Sequence, residues 1–315
     1  MELWLTGYDG GQILLPTVTR WEFSYGLGSP CDSFEVTCLW ETGAETLLAD
    51  AVTFHAVHEG ETVFTGRVDE YACIRDEEGG RLELSGRGMQ ALLLDNQALP
   101  MEYQLATAAD ILRDHVTPYG IGLAGSHTLG AVAGFAVSSG QSEWSVVHDF
   151  ACYHGGIVPR FDRQGRLILS GWDATERVVD DRTAVTGLRY QRRRYGVLSE
   201  VVVRDRNRKV TETVRDAEFL ARGGRCRRVI TTAGRSYTAA MRYSGEYQLR
   251  AARAEETQCV VTTPKLFFAW PGEQMRVERT GFGGNGTYRV AESVTGVDDS
   301  GSYTKVTLGP PDLLI

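Results

Sequence analysis

At 315 residues the chain exceeds what a single hydrophobic core organises efficiently, which predicts two or three domains. With 42% hydrophobic and 23% charged residues and a mean hydropathy of -0.22, it lies outside the disordered and fibrous classes. No apolar run approaches the roughly 20 residues needed to cross a bilayer, so no membrane insertion is expected. The net charge of -8 hides an asymmetry: residues 186–253 hold 17 Arg or Lys against 6 Asp or Glu, a net of +11, and the remainder carries -19. Such polarity suits a subunit that meets different neighbours on different faces.

The opening MELWLTGYDGGQILLP lacks the basic stretch and apolar run of a secretion signal, so synthesis and assembly in a cytoplasm are expected. Residues 1–88 then read as one strand after another. Phe34, Val36, Cys38 and Trp40 alternate with Glu35 and Thr37, which puts the large apolar side chains on one face of a pleated strand. Val52, Phe54 and Ala56 repeat the pattern before His58-Glu59-Gly60, and Leu82 and Leu84 repeat it after Asp76-Glu77-Glu78-Gly79-Gly80. Short strands between Gly-rich turns predict a barrel or sandwich.

Between 89 and 172 the period changes. Thr107 with Asp110 three positions later predicts a helix start, followed by Ile111, Leu112, His115 and Val116 at helical spacing until Pro118 and Gly120. A second helix is expected from Ser142, with Trp144, Val147 and Ala151 on one stripe, Val146, Phe150 and Tyr153 beside it, and a stop at Gly155-Gly156. Two strands, 157–161 and 166–170, complete a small α/β unit inserted between two β regions. Residues 185–315 return to strand character, with one helix expected from Ser244 to Glu256.

The two β regions echo one another. Arg67-Val68-Asp69-Glu70, then Asp76-Glu77 and Gly79, then Leu82 and Leu84, parallel Arg289-Val290-Ala291-Glu292, then Asp298-Asp299 and Gly301, then Val306 and Leu308. The offset is a constant 222 through the turn and then slips by two. A lone hairpin is marginal in water, so a repeated one predicts two similar larger β domains.

Residues with catalytic or ligating potential are sparse. Cys31, Cys38, Cys73, Cys152, Cys226 and Cys259 form no C-x-x-C pair and are expected to be reduced and mostly buried. His55 and His58 point to opposite faces of a strand, and His148 and Cys152, with Asp149 and His154 nearby, share one helix face without a second ligand pair. The run from Gly281 to Gly286 lies between strands with no helix after it, which makes it a hairpin loop and not a phosphate cradle. No catalytic, cofactor or metal site is predicted. The basic set Arg192, Arg193, Arg194, Arg204, Arg206, Arg208 and Lys209, beside Tyr190 and Tyr195, fits protein docking better than nucleic-acid binding in so acidic a chain; Arg192, Arg193, Arg194, Arg204 and Arg206 are the candidate docking residues.

Several strings in order along the chain resemble the baseplate hub family of Mu-type and PBSX-type contractile tails, the late control D-like proteins. They are VFTGRVDE with GGRLELSGRGMQALLLDNQA, TAADILRDHVTPYGI, EWSVVHDFACYHGGIVPRFDRQGRLILSG, and WPGEQMRVERTG with GTYRVAESVTGVDDSGSYTKVTLG. The resemblance implies a mainly β, overall α+β chain: a tube-like antiparallel β-barrel at 1–97, a small α/β domain at 98–184 and a second tube-like barrel at 185–315. It implies a homotrimer that joins a six-fold tail tube to a trimeric spike, touches other baseplate proteins, needs no cofactor, has no enzymatic role and meets DNA only as transit cargo. It places the protein in the baseplate of a virion or a phage tail-like particle. The competing readings are a tail-associated cell-wall hydrolase and a glycan-binding or fibre-adaptor module. Against the latter, Trp4, Trp21, Trp40, Trp144, Trp172 and Trp270 fall in periodic apolar positions or at strand ends, where core packing is expected.

Overall fold

The computed structural model describes all residues except 28–30, 41–47, 78, 173–174, 206–208, 233–237, 255 and 311–315. Seven strands open the chain: β1 (Glu2–Gly7), β2 (Gln12–Leu14), β3 (Val18–Gly26), β4 (Ser33–Leu39), β5 (Ala51–His58), β6 (Glu61–Asp76) and β7 (Gly79–Gly88). They pair antiparallel in the order β2-β1-β5-β6-β7-β4-β3. The alternation read from the sequence sets which face is buried: Phe34, Val36, Cys38, Phe54, Ala56, Leu82 and Leu84 are all buried. Phe34 stacks on Phe54 with ring centroids 3.9 Å apart, and Phe23 on Phe64 at 5.3 Å. Each such ring taken from water stabilises the fold by about 2–3 kcal/mol.

An α/β unit follows, with α1 (Ala91–Asp95), β8 (Met101–Ala106), α2 (Ala108–His115), β9 (Val132–Val137), α3 (Glu143–Gly155), β10 (Arg160–Phe161) and β11 (Leu167–Ile168). Thr107 and Asp110 form the reciprocal capping box that opens α2, Ser142 caps α3, and Gly156 in left-handed conformation ends it. Ile111, Trp144, Val146, Val147, Phe150 and Leu167 build a core separate from the first.

The chain then lays down β12 (Glu176–Asp180) and β13 (Gly187–Arg192) before leaving the large sheet. β14 (Glu200–Asp205), β15 (Thr211–Arg215), α4 (Ala217–Ala221), β16 (Arg227–Thr232) and α5 (Thr238–Ala254) make a second α/β unit, a three-stranded sheet with β14 in the middle and α5 against it. The strand-rich reading of this region overlooks that unit. Its helix begins at Thr238 and not at Ser244, and β14–β16 is a parallel pair, which a crossover through α4 makes possible. Strands β17 (Thr257–Thr263), β18 (Gln274–Glu278), β19 (Gly286–Asp298) and β20 (Gly301–Gly309) return to the large sheet.

The C-terminal strands repeat six of the first seven, all but β2. Their order is β13-β17-β20-β19-β18-β12, against β3-β4-β7-β6-β5-β1 in the first module. The two long hairpins agree residue for residue: β6 carries a bulge between Val68 and Glu70, and β19 carries one between Val290 and Glu292, 222 positions on. Asp76 pairs with Gly79 across one turn and Asp298 with Gly301 across the other, both glycines at positive φ. The backbone never slips. Leu82 and Leu84 correspond to buried Thr304 and Val306, so the shift of two seen in the sequence is a change of side chain within a constant register. One difference stands out: β12 runs parallel to β18, whereas β1 runs antiparallel to β5.

The two modules are hydrogen-bonded to each other. β3 pairs antiparallel with the second half of β19, from Gly26 opposite Glu292 to Trp21 opposite Val297, so thirteen strands share one sheet. The first core extends across this joint to Leu266, Phe268, Trp270 and Val297.

Candidate assembly surfaces

Period-two geometry sends the core residues of β3, β4, β6 and β7 to one face and leaves the other face to polar side chains. That other face of the first module is acidic. Glu22, Glu35, Glu70 and Glu83 line a shallow hollow of about 390 Å³ together with Arg20. Glu22 stands directly opposite Glu35 across the strand pair, a like-charge juxtaposition that costs a fraction of a kcal/mol. Tyr303 of β20 donates its hydroxyl hydrogen to Glu22 and so ties the second module to this face.

The predicted docking arginines do not form one cluster. Arg192 lies at the end of β13 and pairs with Glu256 at 2.8 Å, while the Arg193 backbone N–H donates to the Glu256 carbonyl. Arg194 is exposed just beyond them, Arg204 is exposed on β14 in the second α/β unit, and Arg206 lies outside the described residues. Within that unit the positive charge is interleaved with acids. Glu200 of β14 receives Arg215 from β15 at 2.7 Å and Arg227 from β16, and these two guanidinium groups hold its carboxyl below the usual carboxylate range. Arg242 pairs with Glu212 at 3.2 Å and Arg253 with Asp216 at 2.5 Å. The unit is thus laced together on its surface by ion pairs.

The His and Cys candidates are held in packing. The His148 imidazole Nε2 lies 3.4 Å from Cys152 Sγ and 3.2 Å from the hydroxyl of Tyr247, which anchors α3 to α5. Burial pushes the Cys152 thiol far above its ordinary range, so it is a thiol and not a nucleophilic thiolate. The side chain of His154 lies outside the described residues. His55 stands 3.5 Å from the Thr65 hydroxyl, and His58 packs beside Phe268. Cys31, Cys38, Cys152 and Cys259 are buried, Cys226 is half-buried, and Cys73 is exposed on β6.

Two polar arrangements have no counterpart in the sequence reading. His115, placed on the apolar stripe of α2, donates from its Nδ1–H to Glu143 Oε2 at 2.6 Å, and its Nε2 meets the Tyr103 hydroxyl at 3.0 Å. Tyr119 donates to Glu143 Oε1 at 2.9 Å. Helical spacing defines the face and says nothing of the partners, which come from a different helix and strand. The second arrangement borders a cavity of about 270 Å³ where the two modules meet the first α/β unit, lined by Tyr25, Asp32, Phe64, Arg160, Arg163 and Trp270. Asp32 accepts the Gly26 N–H at 2.9 Å; burial lifts its carboxyl to about 6, against the lowering effect of that bond and of Gln90. Arg160 is committed to the carbonyls of Ser170 and Gly171, and Arg163 lies over the Trp270 ring at 5.6 Å. Of these contacts, the one between Arg163 and Trp270 crosses from the first α/β unit to the second module.

No family model matches the chain, and no curated protein matches it by sequence. Solved structures do match. The tail protein from Neisseria meningitidis MC58 superposes with a TM-score of 0.76 at 16% identity, over 99% of this chain and 98% of that one. The 43 kDa tail protein of prophage MuSo2 from Shewanella oneidensis gives 0.79 at 15% identity, over the whole of both chains. An Escherichia coli component of the type VI secretion system, described as similar to the T4 bacteriophage tail proteins gp27 and gp5, gives 0.56 at 12% identity, over 93% of this chain and 73% of that one. This chain has the mainly β fold of phage tail proteins.

Proposed function

We propose that the chain is the structural hub of a contractile-tail baseplate, in which three copies form a collar between a six-fold tail tube and a trimeric spike. The observation that carries the proposal is the duplicated module, matched in strand order and, in the long hairpins, in bulge position and turn. Three chains with two equivalent modules offer six similar units to the tube and true three-fold symmetry to the spike. Sharing of the fold with tail proteins along the full length supports the same reading.

In this reading the large sheet is one third of a wall that closes into a barrel only in the ring, which removes its open edges. The acidic face around Glu22, Glu35, Glu70 and Glu83 lines the lumen and keeps DNA in transit from adhering by like-charge repulsion. Arg192, Arg193 and Arg194 at the end of β13, with Arg204 and Arg206 from the second α/β unit, dock the spike, the tube or other baseplate proteins. The work is mechanical, and no residue is assigned a catalytic role. The protein resides in the baseplate of a virion or phage tail-like particle assembled in the bacterial cytoplasm.

Native mass spectrometry of the chain co-expressed with its spike protein tests this. Three hub chains with three spike chains in one complex is the expected stoichiometry; a stable complex of a single hub chain with a single spike chain, or of six hub chains with three spike chains, would refute it.

A further inference from the structure

We infer that the joint between copies is a strand pairing whose register is already written inside the chain: β13 of one copy lies along the second half of β6 of the next. The inference rests on the ring reading above and adds which edges meet, and in what register. Within the chain, one edge of β19 is shared by two strands, β18 against Gly286–Arg289 and β3 against Glu292–Val297. In the first module β6 is the counterpart of β19. Its first half pairs with β5 as β19 pairs with β18, but no described strand lies along its second half, Glu70–Arg75. The counterpart of β3 is β13, and its outer edge likewise has no strand among those described.

Burial agrees with this. Ser293 and Thr295 of β19, beside β3, are fully buried, whereas their counterparts Tyr71 and Cys73 of β6 are exposed. On β13, Tyr190 is 43% exposed where its counterpart Phe23 is fully buried. Carrying the β3–β19 register across places Arg192 opposite Tyr71, Tyr190 opposite Cys73 and Leu188 opposite Arg75, all on the core face. On the opposite face Arg193 meets Glu70, a pair of opposite charge. The joint is head-to-tail, so it generates a ring when the rotation closes.

Cysteine cross-linking of the full chain tests the register. In Tyr190→Cys the new thiol faces native Cys73 of the neighbour, within the Cα separation of an antiparallel pair that a disulfide spans. Mild oxidation with copper phenanthroline at high protein concentration is expected to give covalent dimers and trimers that vanish on reduction. Peptide mapping should find the 73–190 linkage, and Tyr190→Cys with Cys73→Ser should lose it. The pair Ala72→Cys with Gln191→Cys, on the other face, should cross-link equally. Oligomers whose linkages map elsewhere, or that persist without Cys73, would overturn the strand joint and leave the ring standing. A covalent ladder that runs past three with the 73–190 linkage intact would keep the joint and overturn the three-copy ring. A chain that stays monomeric by light scattering at every concentration, with no cross-link, counts against both.

Discussion

Replacing Asp32 by Asn should make the protein more stable above pH 6 and leave it unchanged in acid. Asp32 immediately precedes β4, accepts the Gly26 N–H and lines the cavity at the module boundary, where burial raises its carboxyl from 3.8 to about 6. The folded state therefore holds this proton more tightly than the unfolded chain does. The corresponding stability is present below about pH 4 and is lost as the pH rises through 6. A carboxyl raised this far is worth about 3 kcal/mol at most, and because the side chain is only half-buried, screening by solvent reduces this to about 1–2 kcal/mol. Asn keeps an acceptor for Gly26, and Gln90, which donates to the Asp32 carboxylate, can turn its amide over so that Oε1, without a partner among the described residues, accepts from the new amide. Urea unfolding followed by tryptophan fluorescence at half-unit steps from about pH 4.5 to 8 should show the two curves diverging as the pH rises. A variant less stable than the parent at pH 8, or an offset independent of pH, would refute the reasoning, because Asp32 would then be an ionised clamp throughout.

Phe54→Ala, which removes a ring stacked at 3.9 Å on Phe34, should cost about 3–5 kcal/mol in urea unfolding, the usual range for a buried aromatic truncated without collapse of the site. Glu143→Ala strands His115 and the Tyr119 hydroxyl inside the first α/β unit; a loss of about 3 kcal/mol and faster amide exchange in α2 and α3 are expected, with the large sheet still protected. Neutralising Arg192, Arg193 and Arg194 together to Gln should weaken capture of spike or tube protein at low salt and leave thermal stability nearly intact. Unchanged capture would remove the docking role from these arginines.

The strands and the duplication are legible in the sequence for a physical reason: alternation with period two reports which face is buried, and Phe34, Val36, Phe54, Leu82 and Leu84 all obey it. Capping chemistry is equally local, so Thr107, Asp110, Ser142 and Gly156 can be read directly. What escapes is non-local. The pairing of β3 with β19 joins residues more than 260 positions apart and leaves no trace in either strand alone. The second α/β unit reads as strands because β14 and β16 have ordinary strand composition, and nothing in them announces a separate sheet. Chemical likeness also misleads: residue type matches Leu84 to Leu308 and Leu82 to Val306, whereas the backbone matches them two positions earlier, at Val306 and Thr304. The arginines proposed for docking group by proximity in sequence, and the fold distributes Arg192 and Arg204 between two sheets.

In the proposed hub, paired modules within one chain convert three-fold into six-fold geometry. Cryo-electron microscopy of the hub bound to its spike, reconstructed without imposed symmetry, addresses this directly. Six superposable β-modules around the axis, two from each of three chains, are predicted. A ring with another number of chains, or one in which the N-terminal and C-terminal modules sit at different radii and present unlike surfaces to the tube, would contradict it.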